Sequence, residues 1–183
     1  MTDPTAEAWP GTAPRRRRGG SRPRRARPPA GHLGLEVLRP GRRGLRATLG
    51  SSTITLGGLL KHLAHVEDCH FARLWLGSPV GAPWDAVDGC SAPDRDHRSA
   101  AEDTPEALHT LWRGAVARSR AVVDEALGAG GLDQLGACTT RSGERPDLRR
   151  VLLDLVEEYA RHAGHADLIR ASVDGLTGED PPR

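Results

Sequence analysis

The chain has 183 residues, room for one ordinary domain and a tail, and any core rests on aliphatic side chains because aromatics make up 3%. No run of 18 apolar residues predicts a membrane span, and the arginine-rich N-terminus lacks the apolar segment of a secretory signal. The net charge of +2 hides an asymmetry: residues 1–50 carry 12 arginines and three acidic residues, hence +9, and the remainder carries −7.

Residues 1–47 are predicted to form a disordered tail, separate from a folded body over residues 48–179. The tail includes the stretch PRRRRGGSRPRRARPPAGH, in which Pro and Gly recur without any apolar period. Two interpretations stay open: an arm that contacts nucleic acid or another anionic surface, and a segment with no role of its own. No aromatic residues alternate with the arginines as a stacking site requires, so nucleic-acid binding is expected through this tail or not at all.

The three cysteines are Cys69, Cys90 and Cys138, an odd number without CxxC spacing. This pattern favours free thiols over a disulfide framework, and free thiols suit a reducing compartment. We therefore expect a cytoplasmic protein without a membrane partner.

The first helix is predicted to begin after Ser52-Thr53, which can cap it, and to end near Leu76. Its apolar residues recur at helical spacing: Leu56, Leu59, Leu60, Leu63, Val66 and Leu74. Residues 80–103 are rich in Asp, Pro and Gly and are predicted to form a loop with solvated charges.

Two further helices follow in the body. The second begins with Thr104 as N-cap and Pro105 in its first turn, and ends at the glycines of GAGG. The third begins at Asp147 and continues to about Val173. Without a convincing strand, the class is all-α, and helices joined in this way pack as an antiparallel bundle.

Polar residues interrupt the inward face of the last helix. At 100° per residue, Glu158, His162 and His165 fall within the stripe defined by the apolar residues Val151, Leu155 and Ile169. A carboxylate in such a position is costly unless it is paired or binds a metal. Glu158 and His162 are four residues apart, which is how bundle helices present metal ligands, although such pairs also form simply by hydrogen bonding.

The first helix offers a third ligand in His62, which lies at the edge of the apolar stripe, whereas His65 is predicted to be solvated. Three N and O ligands with an open position are typical of catalytic Zn²⁺, and Ni²⁺ is also compatible. Two roles stay open for His165: a catalytic one, orienting a ligand or relaying a proton, and a polar contact near the helix end. Cys69 lies on nearly the same face as His62 and can be a fourth ligand, a reactive thiol or a small buried apolar residue.

Two stretches, TLGGLLKHLAHVED and EEYARHAGHADLIRASVDGLTG, resemble the DinB/YfiT-like superfamily, in the branch that includes Streptomyces mini-circle-type proteins. The resemblance implies a four-helix bundle that binds a divalent metal through one His on the second helix and an i, i+4 pair on the last. These positions are His62, Glu158 and His162 here. The Glu-His pair is similar to that of mycothiol-dependent maleylpyruvate isomerases. The family's first helix, expected before Thr53, is missing or degenerate in this sequence.

The resemblance implies a thiol-dependent transferase or isomerase, and an Arg-rich sequence with Lys61 as its single lysine suggests a GC-rich, actinobacterial source that would use mycothiol. Three functional hypotheses follow. The first is a metal-dependent thiol S-transferase acting on a small electrophile. The second is a non-catalytic bundle that binds a partner, with homodimerisation covering the groove left by the missing helix. The third is nucleic-acid association through residues 1–47.

Overall fold

The computed structural model describes residues 42–84, 94–140 and 142–175, and this part of the chain is helical, without a named strand. The all-α class is therefore confirmed. The helices, which we number α1 to α5, span Arg42–Leu45, Leu56–Asp68, Arg95–Ser99, Pro105–Ala129 and Leu148–Asp174. A π-helical segment over Cys69–Trp75 continues α2, and a short 3₁₀ turn over Gly131–Asp133 follows α4.

Helix α2 begins slightly later than the sequence predicts. Its N-cap is Thr55, whose hydroxyl accepts a hydrogen bond from the Gly58 N–H at 2.9 Å, instead of Ser52 or Thr53. The difference of two residues arises because several hydroxyl residues precede the apolar run, and each can cap a helix. The predicted apolar face is correct: the side chains without any exposed surface include Leu56, Leu59, Leu60 and Leu63.

The two longest helices have the ends that the sequence predicts. Thr104 caps α4 through a hydrogen bond from the Ala107 N–H at 3.2 Å, and Asp147 caps α5 through one from the Arg150 N–H at 2.8 Å. Gly175 ends α5 in the left-handed conformation, with φ of 72°. Buried residues recur along both helices, from Leu108 to Ala126 in α4 and from Leu148 to Arg170 in α5.

Helix α2 occupies the centre of the described fold, since it contacts α3, α4 and α5. Leu45 of α1 is also buried in the core. Residues 1–41, which include most of the predicted tail and most of the stretch before Thr53 where the family's first helix is expected, lie outside the described residues. The boundary at residue 47 and the missing first helix of the bundle therefore stay predictions.

Two adjacent acidic residues of α2 are buried, and we call Glu67, Asp68 and their partners the buried carboxylate cluster. The Tyr159 hydroxyl donates to Glu67 Oε1 at 2.8 Å and accepts from Trp112 Nε1 at 3.0 Å. Asp68 accepts from Trp84 Nε1 at 2.9 Å and from the Arg118 guanidinium at 2.9–3.1 Å. Burial raises the pKa of Glu67, although hydrogen bonds from Ser119 and Tyr159 oppose it. The cluster thereby ties α2 to α4 and α5 through satisfied polar groups.

The outer face of α5 exposes apolar side chains. Leu153, Val156 and Leu168 are 58%, 47% and 60% exposed. On a helical wheel these residues and Ala160 lie on the side of α5 away from the core, together with the charged residues Glu157 and Asp167. An apolar stripe of this length is the kind of surface that a further helix or a second chain covers.

Candidate metal centre

Helix α5 presents Glu158 and His162 toward α2 because its buried stripe fixes its rotation. Val151 and Ile169 are buried in the core, and the same stripe carries His162, which is 7% exposed. The carboxylate of Glu158, one turn earlier, lies beside it: Oε2 is 3.2 Å from His162 Nε2. The i, i+4 spacing therefore brings the two donor atoms to one point on the helix surface.

Helix α2 brings the third predicted ligand to the same point. Candidate ligand atoms of His62, Glu158 and His162 all lie within 4.8 Å of one another. His62 Nε2 is 4.0 Å from Glu158 Oε2, and the rings of the two histidines are 4.9 Å apart in an edge-to-face arrangement. Donor atoms of a tetrahedral ion with bonds near 2.1 Å are about 3.4 Å apart, so small side-chain rotations would suffice to enclose one.

The chemistry of the three donor atoms also fits a divalent ion. Arg161 Nη1 binds Glu158 Oε1 at 2.7 Å, which leaves Oε2 on the side of the two histidines. The side chains of Glu158 and His62 are 25% and 26% exposed, so the cluster is open to solvent on one side. Two imidazole nitrogens and one carboxylate oxygen with an open side are the donor set of a catalytic zinc or nickel site.

His162 is suited to coordination because it is neutral over a wide pH range. Burial, followed by the charge of the nearby His62, lowers the pKa of His162 to about 4, although the charge of Glu158 opposes this shift. A neutral imidazole keeps the lone pair that a metal requires. The imidazole therefore need not lose a proton before it can bind an ion at neutral pH.

Asp96 orients His62, and the sequence prediction missed this residue. Its Oδ2 accepts hydrogen bonds from Nδ1 of His62 at 3.3 Å and from Nδ1 of His65 at 3.1 Å. Burial alone would raise the pKa of Asp96, but these two hydrogen bonds outweigh it and hold the pKa below its usual range. With Nδ1–H fixed on a carboxylate, the lone pair of His62 lies on Nε2, the atom that faces Glu158.

Two expectations are therefore wrong. The segment predicted to be a solvated loop contains α3, and Asp96 of that helix is 8% exposed. His65 is not solvated, because it contacts Asp96 and stacks on Trp84 with the ring centres 4.5 Å apart. In both cases a helix distant in sequence covers a polar side chain, which a helical wheel does not reveal.

His165 contacts the imidazole of His162. The two Nδ1 atoms are 3.2 Å apart, and the ring centres are 5.2 Å apart. One nitrogen of the pair must donate and the other accept, so the contact selects a tautomer of each ring. This arrangement is compatible with an orienting role, and the catalytic role of His165 stays a prediction.

A further histidine, His97, lies against the ligand from α2. Its ring stacks on that of His62 with centres 5.9 Å apart, and burial, followed by the charge of His62, lowers the pKa of His97. Gly58 permits this approach, since a Cβ there would lie 2.7 Å from the His97 Cα. His97 thus packs against the ring of His62. The sequence prediction did not include His97 in the site.

The other singled-out residues lie apart from this cluster. Trp75 and Trp112 are buried in the core, as predicted. Cys69 is half-buried, and it does not join the group of donor atoms that could hold an ion. Cys90 lies outside the described residues.

Comparison with known proteins identifies the family of the chain. The family model described as mycothiol S-transferase matches residues 41–175, which is more than half of the chain. Comparisons with curated proteins and with solved structures gave no match. Within the described ranges, no helix combines the length and apolar character needed to cross a membrane. The chain belongs to the mycothiol S-transferase family of the DinB-like superfamily.

Proposed function

We propose that this protein is a divalent-metal-dependent S-transferase that joins the sulfur of mycothiol to a small electrophile. The observation behind the proposal is the convergence of donor atoms from His62, Glu158 and His162. The buried carboxylate of Asp96 contacts His62 from the other side of its ring. Family membership supports the thiol, and the N and O donor set supports Zn²⁺ or Ni²⁺. When bound, the ion would act as a Lewis acid that favours the thiolate form of the co-substrate.

The residues of the chain have different roles in the proposed reaction. His62, Glu158 and His162 would hold the ion, and the open side of the cluster would admit the thiol. Asp96 fixes the tautomer of His62, and we propose that His165 orients His162 and moves a proton at its free nitrogen. The reaction forms a bond between the thiol sulfur and an electrophilic carbon, while the leaving group departs with the bonding electrons.

Several finer features belong to the same proposal. The free thiols and the arginine-rich composition support a cytoplasmic, actinobacterial enzyme of the mini-circle-type branch. The exposed stripe around Leu153, Val156 and Leu168 supports a homodimer in which α5 is covered.

Metal content tests the proposal first. The chain would be purified without a histidine tag, loaded with Zn²⁺ or Ni²⁺, and analysed for bound metal beside Glu158→Ala and His162→Ala. Glu157→Ala is the matched control, because the Glu157 side chain is 67% exposed. We expect about one ion per wild-type and control chain and its loss in both ligand variants. Equal metal in all four proteins would overturn the site.

Turnover separates an enzyme from a non-catalytic bundle. Loaded protein would be mixed with an alkylating electrophile and, in parallel, with mycothiol, glutathione or cysteine, and the loss of thiol would be followed. Consumption of mycothiol that disappears with the ligand variants supports the transferase. A loaded protein that consumes no thiol would instead favour the second candidate, a bundle that binds without catalysis.

A further inference from the structure

A groove lies at the C-terminal end of α2, beyond the candidate metal centre. Its volume is about 780 Å³, large enough for a small molecule. One wall is the π-helical segment that continues α2, and the other is the loop before α5. None of the candidate metal ligands belongs to either wall, so the groove is a separate site. The lining residues are Cys69, His70, Arg73, Leu74, Ala137, Cys138, Thr139 and Thr140.

Backbone hydrogen bonds join the two walls of the groove. The Ala137 N–H donates to Trp75 O at 2.8 Å, and the Cys138 N–H donates to Leu74 O at 3.1 Å. Gly136 permits this approach, because a Cβ there would lie 3.2 Å from Leu74 O. The last carbonyl oxygens of a helix have no partner within it, and here the loop supplies the missing donors. The groove is therefore formed before any ligand binds.

The helical wall has an unusual backbone. The Leu76 N–H donates to Phe71 O, five residues earlier, at 3.0 Å, which is the hydrogen bond of a π-helix. Such turns are rare in proteins and occur frequently at functional sites. Four of the seven residues of this segment line the groove. A preformed groove and a π-helical turn thus coincide at one place, which supports a binding role.

The charges around the groove favour an anion. None of its described lining residues is acidic, although residues 51–183 carry a net charge of −7. Arg73 is exposed, and no carboxylate pairs with it among the side chains that the structure describes. A guanidinium binds carboxylate and phosphate groups through paired N–H donors. Arg73 can therefore offer its donors to a ligand without breaking an ion pair.

Further hydrogen-bonding groups lie on both walls. His70 Nδ1 donates to Val66 O at 2.8 Å, so Nε2 is the ring nitrogen left for a ligand. Thr139 and Thr140 bring hydroxyl groups from the facing loop. The three terminal oxygens of a phosphate accept more hydrogen bonds than the two oxygens of a carboxylate. A lining with several such groups therefore favours a phosphate.

We propose that this groove binds a small organic phosphate, with the phosphate group on Arg73 and the organic group against Leu74 and Ala137. The histidine and the two threonines supply further hydrogen bonds. The volume of the groove leaves room for an organic group beside the phosphate. Binding is non-covalent and uses no metal ion, so the proposal does not depend on the S-transferase.

The test uses phenyl phosphate as the probe, on the full chain treated with chelator. Two-dimensional NMR of isotope-labelled protein would follow the backbone amides of Cys138, Thr139 and Thr140. We expect these signals to shift in a saturable manner. Inorganic phosphate lacks the ring and benzoate lacks the phosphate, so we expect each to bind roughly tenfold more weakly. The absence of saturable shifts at these amides, or equal binding of benzoate, would overturn the proposal.

Two variants identify the groups that hold the phosphate. Arg73→Gln should weaken the binding of phenyl phosphate roughly tenfold, because the charged donors are lost. Thr139→Val keeps the shape of the side chain but lacks the hydroxyl, and should weaken binding a few-fold. Arg113→Gln is the matched control, because Arg113 is an exposed arginine of α4 that does not line the groove.

The results separate this proposal from the candidate metal centre. We expect Arg73→Gln to bind as much Zn²⁺ as wild type while it loses phenyl phosphate. If Arg73→Gln binds phenyl phosphate as tightly as wild type, or if Arg113→Gln loses as much affinity, the assignment of the groove is wrong. Either result leaves the metal content of the protein, and with it the test of the S-transferase, unchanged.

Discussion

The buried carboxylate cluster and the candidate metal centre lie on the same pair of helices and place acidic and polar groups in comparable positions. In the first, Glu67 accepts a hydrogen bond from the Tyr159 hydroxyl. Asp68 accepts hydrogen bonds from Arg118 and Trp84. In the second, Nε2 of the two histidines and Oε2 of Glu158 face one another, and each of these atoms can offer a lone pair. The first cluster pairs donors with acceptors, whereas the second brings together three groups that can each supply a ligand atom to a metal ion.

The difference distinguishes a structural polar cluster from a candidate binding site. Buried polar groups that satisfy one another stabilise the packing of the helices that carry them. Acceptors that converge are satisfied by something that is not part of the chain, and a cation is the simplest such partner. Each prediction below alters one cluster and asks whether the other responds.

The largest effect is expected from Tyr159→Phe, in the buried carboxylate cluster. The change removes the donor to Glu67 and the acceptor of Trp112 Nε1, leaving both polar groups buried without that partner. We expect the free energy of unfolding to fall by about 2–3 kcal/mol. Chemical denaturation measures this loss, and metal affinity should stay within about twofold. A large loss of metal affinity would show that the two clusters are not independent.

Asp96→Asn changes the residue that orients His62, on the side of the ring away from the candidate metal centre. The amide keeps the shape of the side chain but loses the negative charge that holds Nδ1–H of His62. We expect metal affinity to fall about 10- to 100-fold, as for other residues that orient a ligand. Competition with a chromophoric chelator measures the change. Asp94→Asn is the control, because Asp94 pairs with Arg98 at the surface, and an equal loss there would contradict the assignment.

His65 gives a prediction on pH. Its pKa is raised to about 9, so protonated His65 stabilises the folded state. In the chelated protein this contribution to the free energy of unfolding is complete below pH 6.5 and is lost as the pH rises through 9. Because the site is only half-buried, we expect about 1–2 kcal/mol. Denaturation at pH 6 and pH 9.5 should show this loss in wild type and in His70→Gln, but not in His65→Gln. A loss of the same size in all three proteins would contradict the role of His65.

The smallest effect is expected from Arg161→Gln. Arg161 binds the outer oxygen of Glu158, Oε1, and lies at the surface. Since the inner oxygen faces the histidines, we expect metal affinity to change less than about twofold. The same chelator competition tests this. A tenfold change would mean that the ion pair sets the direction of the Glu158 carboxylate.

The sequence predicts the parts of this molecule that depend on local pattern. The period of α2 and α5, the caps Thr104 and Asp147, and the i, i+4 pair of Glu158 and His162 are properties of one segment each. These are sufficient to bring the candidate ligands of α5 together. His62 could be added because it lies at the edge of an apolar stripe.

The parts that the sequence does not predict depend on contacts between distant segments. Asp96 lies in a stretch rich in loop-forming residues, and its burial results from His62 and His65, 34 and 31 residues away. His65 lies on the outward side of its own helix and is covered by Trp84, which comes from another segment. Neither covering group leaves a periodic signal in the sequence.

A single oxygen of Asp96 serves both His62 and His65. The two histidines thus depend on one acceptor, and a substitution of Asp96 removes this partner from both of them. Among relatives of this chain, we therefore expect lineages that lose the acidic residue at position 96 to have changed both histidines as well.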